Sequence, residues 1–168
     1  MTEIKLGIGV PVYGPAPYLV DCLESLRCLP NSVRVIIQDG GGGDKRESQL
    51  SAVLDDYRFQ WVSKADSGQS NTINRAWRQL SMRYTPPCLT WVNSDDLVFS
   101  EGLMTAVQSM GQIKNAGVDY GDYYVFTNTI RDGYLVCTHA RVSMRSLLWG
   151  RNQIPGIGTI VRSCFLDD

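Results

Sequence analysis

The chain has 168 residues, of which 43% are hydrophobic and 20% charged, as is ordinary for one globular domain with its own core. The net charge of −1 gives no basic surplus, which argues against a nucleic acid as the partner. The N-terminal apolar run is short and ends at Pro11, so we expect a cytoplasmic protein without signal peptide or transmembrane segment, with a peripheral membrane association left open.

Strands that alternate with helices are predicted over the first two thirds of the chain. Runs rich in apolar and β-branched residues predict strands over 5–12, 33–37, 59–62 and 88–92. Apolar residues at helical spacing predict the helices, and these residues are Leu19, Cys22, Leu23 and Leu26, then Ile73, Ala76, Trp77 and Leu80, then Leu103, Ala106, Val107 and Met110. Asp44 is a predicted N-cap of one more helix that reaches about Leu54. Helix-length crossovers predict an α/β fold of three layers (α/β/α) around a mostly parallel, doubly wound sheet.

The pattern changes from Tyr120 onward. Residues 121–139 predict a hairpin with its turn at 131–133, and 141–149 and 158–161 predict a short helix and one more strand. No repeat or linker interrupts the chain, so we predict a single domain over 1–168.

Several chemically notable side chains are interpreted as structural. His139 has no serine or cysteine partner in a recognisable triad pattern. Trp77 and Trp91 lie in apolar stripes and are predicted core residues. The cysteines form no CxxC pair and are interpreted as reduced core residues: Cys22, Cys28, Cys88, Cys137 and Cys164.

Acidic residues follow three of the four predicted strands. Asp39 follows the second strand, Asp66 comes after the third, and the pair Asp95–Asp96 follows the fourth. The carboxyl ends of parallel strands meet at one edge of the sheet, where ligands bind. Carboxylates gathered there repel each other unless a cation or a donor-rich ligand lies among them. The sequence therefore predicts a binding site at this edge.

The pair Asp95–Asp96 is the strongest candidate for a metal site. Magnesium binds through one or two protein carboxylates and completes its shell with water and phosphate oxygens. The pair therefore predicts a divalent cation, Mg²⁺ or Mn²⁺, that neutralises a diphosphate. The alternative is an acidic helix start, which the helix dipole also favours. The buried strand before the pair and Asn93-Ser94 favour the metal.

The other two aspartates each have a structural and a ligand-binding interpretation. Asp39 precedes the glycines 40–43, which form either a turn capped by Asp44 or a backbone that a base or sugar approaches closely. For Asp66, the structural interpretation is that Ser70 or Asp66 caps the next helix, and the ligand-binding one is that Asp66 contacts a nucleotide. The GxGxxG fingerprint of dinucleotide-binding folds and the GK[ST] phosphate loop are both absent.

Four ordered segments resemble family 2 glycosyltransferases with the GT-A fold. They are PVYGPAPYLVDCLESL, VIIQDGGGGD, SKADSGQSNTINRAW and LTWVNSDDLVFSEGL, and the resemblance covers about residues 4–130. It implies an inverting, metal-dependent transferase of polysaccharide biosynthesis, which moves a sugar from a nucleoside-diphosphate-sugar donor to a hydroxyl of a sugar or glycan acceptor. It also implies a nucleotide-sugar-binding half over 1–97 and the start of an acceptor-side half, left incomplete, over 98–168.

The resemblance implies roles for individual residues. Asp39 is expected to contact the base, Asp96 to bind the metal directly, and Asp95 to share the metal motif or contact the ribose or sugar. The residues expected to bind the donor are Pro11, Tyr13, Asp39, Asp66, Gly68, Asn74 and Asp95.

The last part of the chain matches the family less well. Gly121–Asp122 resembles the family's next strand, and Gln153 resembles a polar residue near the acceptor. Asp167 and Asp168 match no acidic motif, so the catalytic base is left unassigned.

Two other functions stay open from the sequence. A sugar-phosphate nucleotidyltransferase favours a loop rich in glycine and basic residues after the first strand, whereas PVYGPAPYL has no basic residue. A non-catalytic sugar-nucleotide-binding module fits the unassigned base. A Rossmann oxidoreductase is disfavoured because its fingerprint is absent.

Overall fold

The computed structural model describes residues 3–41, 50–127, 129–138 and 154–166. Its strands are β1 (Leu6–Val12), β2 (Val33–Asp39), β3 (Phe59–Ser63), β4 (Cys88–Trp91), β5 (Val118–Tyr120), β6 (Tyr123–Val125), β7 (Tyr134–Val136) and β8 (Thr159–Arg162). Its helices are α1 (Leu19–Arg27), α2 (Ser51–Leu54), α3 (Gln69–Tyr84) and α4 (Ser100–Gln112), with short 3₁₀ turns at Ile130–Asp132 and Ser163–Phe165.

The central sheet has six strands in the order β3-β2-β1-β4-β8-β5. The strand β1 pairs in parallel with β2, from Leu6 opposite Val33 to Val12 opposite Asp39, and with β4 on its other side. The strand β3 extends the parallel part beyond β2. In contrast, β8 pairs antiparallel with both β4 and β5. The predicted mostly parallel sheet is confirmed.

Helices cover both faces of this sheet, as predicted for three layers. On one face, buried residues of α1, α2 and α4 pack in one cluster with alternate residues of β1, from Leu6 to Val12. On the other face, Ala76, Trp77 and Leu80 of α3 pack on Ile36 and Leu89. The helical stripe predicted over 19–26 is buried at all four positions. Burial of these apolar faces is the main favourable contribution to the fold.

The longest helix, α3, ends where the sequence predicts. It has 16 residues, and Thr85 after it adopts a left-handed φ of 46°. Pro86 and Pro87 follow, and proline cannot continue a helix. Within the described residues, no helix combines the length and the apolar character that crossing a membrane requires.

The C-terminal hairpin is confirmed, with β6 paired antiparallel to β7. Gly121–Asp122 lies between β5 and β6 and not within a strand. The strand β5 was not predicted because it has three residues and none of them is buried. Of the helix predicted from Asp44 to Leu54, the structure describes Ser51–Leu54. Several other predictions lie outside the described residues, namely those for His139, 141–149, Gln153, Asp167 and Asp168.

The cysteine prediction is correct in part. All five thiols are free, and Cys22 and Cys88 are buried. The prediction of a core position is wrong for Cys28, Cys137 and Cys164, which are exposed. Cys28 follows the last turn of α1, outside its apolar stripe. Cys137 follows β7, whose strand residues are largely exposed, so an apolar run there does not imply burial.

Candidate functional site

A cavity of about 660 Å³ opens at the carboxyl ends of β1 and β4. In the sheet, β2 lies on one side of β1 and β4 lies on the other. The order of strands therefore reverses direction at β1. In open α/β sheets this reversal leaves a crevice in which ligands bind. The lining residues are Pro11, Val12, Tyr13, Asp66, Ser67, Gly68, Gln69, Thr72, Asn93, Ser94 and Asp95.

The structure brings together five of the eight residues that the sequence predicts for the site. These are Pro11, Tyr13, Asp66, Gly68 and Asp95. The other three are not among the lining residues. Asp39 is fully buried at the end of β2, Asn74 is exposed on α3, and Asp96 is half-buried beside Asp95.

The turn after β2 supports one wall of the cavity. The Asp39 carboxylate accepts a hydrogen bond from the amide of Gly41 at 3.0 Å. A Cβ atom at Gly40 would overlap the carboxylate of Asp66, and one at Gly41 would lie 3.4 Å from the ring of Tyr13. The first two glycines of the run therefore leave room for two cavity-lining side chains.

Asp66 is fixed by the start of α3. One of its oxygens accepts a hydrogen bond from the amide of Gly68 at 2.8 Å, and the other accepts one from the hydroxyl of Thr72. These two hydrogen bonds, that of Thr72 first, hold the pKa of Asp66 below its ordinary value. Gly68 has a φ of 118°, which favours glycine. Gly68 occupies the N-cap position, so Asp66 does not cap α3 itself but holds the residue at that position, and it also lines the cavity.

The loop after β4 places the aspartate pair. Asp95 is exposed and lines the cavity, whereas Asp96 accepts a hydrogen bond from the side-chain amide of Asn93 at 2.9 Å. Burial is the main cause that raises the pKa of Asp96. The negative charge of Asp95 adds to it, and the bond from Asn93 acts in the opposite direction. The pair therefore concentrates negative charge that a cation would stabilise.

Cys22 of α1 lies below this loop. Its thiol donates to the backbone carbonyl of Asn93 at 3.4 Å. Burial, and then the charges of Asp96 and Asp95, raise the pKa of Cys22 to about 12. The thiol is therefore neutral near pH 7 and acts as a buried hydrogen-bond donor.

The charge of the cavity points to a cation. Asp66 and Asp95 line it, and none of the lining residues in the described part of the chain is Lys, Arg or His. Nor do three or more His, Cys, Asp or Glu side chains converge as a ready-made metal site anywhere in the described ranges. The available donors are hard oxygens from at most two neighbouring carboxylates. That set suits Mg²⁺ or Mn²⁺ when a ligand supplies further oxygens.

Five polar lining residues were not predicted as site residues. They are Ser67, Gln69, Thr72, Asn93 and Ser94. Asn93 and Ser94 adjoin the aspartate pair, and Gln69 adjoins Gly68, so proximity to the predicted motifs is the signal that could have found them. Thr72 is a polar residue on the buried face of α3, and the spacing of apolar residues does not predict its hydrogen bond to Asp66.

A smaller cleft of about 360 Å³ lies next to the main cavity. It shares Tyr13, Ser94 and Asp95 with the cavity and is otherwise lined by residues 15–18. Tyr13 is 77% exposed and lines both spaces.

Comparison with known sequences identifies relatives named as glycosyltransferases. No protein-family model matches the chain. Glycosyltransferase GlyA of Streptococcus pneumoniae is 25% identical over 131 residues, which cover 77% of this chain and 18% of that protein. Glycosyltransferase GlyG of the same organism is 26% identical over 141 residues, which cover 82% of this chain and 45% of that protein. The chain thus spans less than half the length of the curated relatives that it matches.

Comparison with solved structures defines the fold. S. aureus TarS 1–349 in complex with UDP-GlcNAc superposes with a TM-score of 0.71 at 17% identity, over 98% of this chain and 47% of that one. The mannosyltransferase PcManGT from Pyrobaculum calidifontis, in complex with GDP-Man and Mn²⁺, gives a TM-score of 0.59 at 18% identity, over 71% of this chain and 36% of that one. The chain therefore has the GT-A fold of these glycosyltransferases, as the sequence predicts.

Proposed function

We propose that this chain carries the donor-binding site of a glycosyltransferase, which moves a sugar from a nucleoside diphosphate to a hydroxyl of a sugar or glycan. The observation that carries the proposal is the cavity at the reversal of strand order, lined by carboxylates and by no basic residue of the described chain. The similarity to proteins named glycosyltransferases supports it.

A diphosphate needs compensating charge in this cavity. Two unit charges 4 Å apart interact by about 1 kcal/mol in water and by about 4 kcal/mol near a protein surface, so Asp95 alone would repel it. We infer that Asp95 and Asp96 hold a divalent cation, Mg²⁺ or Mn²⁺, with the remaining ligands supplied by water and phosphate. When bound, this cation stabilises the charge that develops on the departing diphosphate.

Other residues of the chain fit a nucleotide beside that cation. The exposed ring of Tyr13, next to Pro11, offers an apolar surface for a base. The first turn of α3 begins at the cavity, at Gly68 and Gln69, where the positive end of the helix dipole favours an anion, while the amide of Gly68 is already bonded to Asp66. Asp39 is buried and does not line the cavity, so it supports the wall beside Tyr13 through its glycine turn, and its contact with the base stays a prediction.

The reaction proposed is a single in-line displacement with inversion at the anomeric carbon. The acceptor oxygen forms the new bond as the bond to the diphosphate oxygen breaks, and a carboxylate base removes the acceptor proton. None of the described residues is assigned as that base. Inversion, the division into halves over 1–97 and 98–168, the cytoplasmic location and a peripheral membrane association stay predictions.

Nucleotide binding with and without Mn²⁺ tests the proposal. We expect UDP or GDP to bind more tightly with Mn²⁺ than with EDTA, as measured by calorimetry. Asp96→Ala and Asp95→Ala should abolish this enhancement, and in EDTA their affinity should equal or exceed that of the wild type, because each removes a carboxylate that repels the diphosphate. Asp55→Ala, at an exposed aspartate after α2, is the matched control. Equal enhancement in the wild type and in both site variants would reject the metal role.

Donor hydrolysis and transfer separate the enzyme from a binding module. The wild type with Mn²⁺ should release nucleotide from UDP-sugars or GDP-sugars, and Asp96→Ala should not. Tight binding without any release would favour the non-catalytic module instead.

A further inference from the structure

Asn93 lies at the centre of a hydrogen-bond network that joins three elements around the cavity. Its side-chain amide donates to Asp96 at 2.9 Å, and its side-chain oxygen accepts from the amide of Gln69 at 2.7 Å. Its backbone carbonyl accepts from the thiol of Cys22 and from the amide of Asp96 at 3.1 Å. One residue thus contacts α1, the start of α3 and the aspartate pair.

The orientation of the Asn93 side chain follows from its partners. An ionised carboxylate only accepts hydrogen bonds, so the NH₂ group of Asn93 must face Asp96. Its oxygen then faces Gln69, which must present its own NH₂ group. Neither amide can rotate by half a turn without setting two donors or two acceptors against each other. The network therefore fixes the position of one carboxylate oxygen of Asp96.

Asn93 also holds Asp96 through two separate bonds. The side-chain bond reaches the carboxylate, and the backbone bond closes the turn from Asn93 to Asp96. The buried, neutral thiol of Cys22 supports the same carbonyl from below. Removing the Asn93 side chain therefore releases the carboxylate while the backbone turn and the thiol contact remain.

We propose that Asn93 is a positioning residue that holds Asp96 ready for the cation and couples it, through Gln69, to the first turn of α3. This inference rests on the proposed function, because it concerns the cation of the donor site. Groups that orient metal ligands typically change metal affinity or activity about 10–100-fold when they are removed. Gln69 acts on the cation through Asn93, so its effect is smaller and has the same sign.

The test measures Mn²⁺ affinity and nucleotide affinity separately. Mn²⁺ binding is titrated at saturating UDP or GDP, and binding of the same nucleotide is titrated in EDTA. Asn93→Ala should weaken Mn²⁺ binding about 10-fold or more and leave the affinity in EDTA nearly unchanged. Gln69→Ala should weaken Mn²⁺ binding less, and the double variant should match Asn93→Ala, because both residues act in one path. Asn115→Ala, at an exposed asparagine after α4, is the control and should have no effect.

The possible results decide between the proposals. Wild-type Mn²⁺ affinity in Asn93→Ala overturns the positioning role while the donor site stands. A fall in the EDTA affinity as large as the fall in Mn²⁺ affinity also overturns it, since Asn93 would then contact the nucleotide directly. If Asn93→Ala does not fold, the Mn²⁺ affinity of Gln69→Ala is the test, because Gln69 is exposed. An unchanged Mn²⁺ affinity in Gln69→Ala then rejects the proposed network. Absence of any Mn²⁺-dependent binding in the wild type removes the proposed function and this inference together.

Discussion

Replacing Gly40 by alanine tests how closely the turn after β2 packs on Asp66. A Cβ atom there would overlap the nearer carboxylate oxygen of Asp66 and lie 2.8 Å from its Cγ. Gly40 is not among the residues with positive φ in the described chain, so the backbone itself tolerates alanine. The effect of the substitution must therefore come from the contact between the two residues.

The structure indicates the size of this effect. Asp66 cannot move away without losing its bonds to Gly68 and Thr72. Hydrogen bonds to charged groups contribute about 1.5–3 kcal/mol each, and water replaces part of this because Asp66 is only half-buried. Overpacking typically costs about 1–3 kcal/mol, so we expect Gly40→Ala to lower the free energy of unfolding by about 2 kcal/mol.

Urea denaturation of four proteins measures the coupling. These are the wild type, Gly40→Ala, Asp66→Ala and the double variant. When Asp66 is already alanine, the carboxylate that the new methyl group at Gly40 would overlap is gone, and the second substitution should cost little or stabilise by about 0.4–1 kcal/mol. The reasoning is refuted if Gly40→Ala costs the same in both backgrounds, or if it costs nothing in the wild type.

Two further predictions concern pH and thiol reactivity. Asp56 bonds to Arg58, and this hydrogen bond is the main cause that lowers the pKa of Asp56. A lowered folded pKa gives stability that is present above the unfolded value of about 3.9 and is lost as the pH falls through the folded value. Asp56→Asn should therefore lower the free energy of unfolding by about 1–3 kcal/mol at pH 7. Urea denaturation at several pH values should show this difference shrink below about pH 4. A difference that is the same at every pH would contradict this. In the native protein, Ellman's reagent should label the three exposed thiols quickly and those of Cys22 and Cys88 only after unfolding. Equal labelling rates for all five thiols would contradict the burial of Cys22 and Cys88.

The sequence by itself determined the repeating strand-helix units and the edge at which their acidic ends meet. Both follow from local patterns, because helical and strand periodicity extend over a few residues and a helix-length crossover between consecutive strands makes those strands parallel. Pro11, Tyr13, Asp66 and Asp95 reach one cavity for that reason. The same patterns did not predict that Cys28 is exposed. A single apolar residue at a helix end is buried only if another segment of the chain packs on it.

The tertiary structure alone decided which distant groups meet. Strand β8 enters the sheet through pairs with β4 such as Cys88 with Arg162 and Thr90 with Ile160, which lie far apart in the chain. The packing of Gly40 against Asp66, and the link from Gln69 through Asn93 to Asp96, likewise join separate loops. Such contacts form only when the whole sheet fixes the distances between strand ends, so no local pattern of residues specifies them.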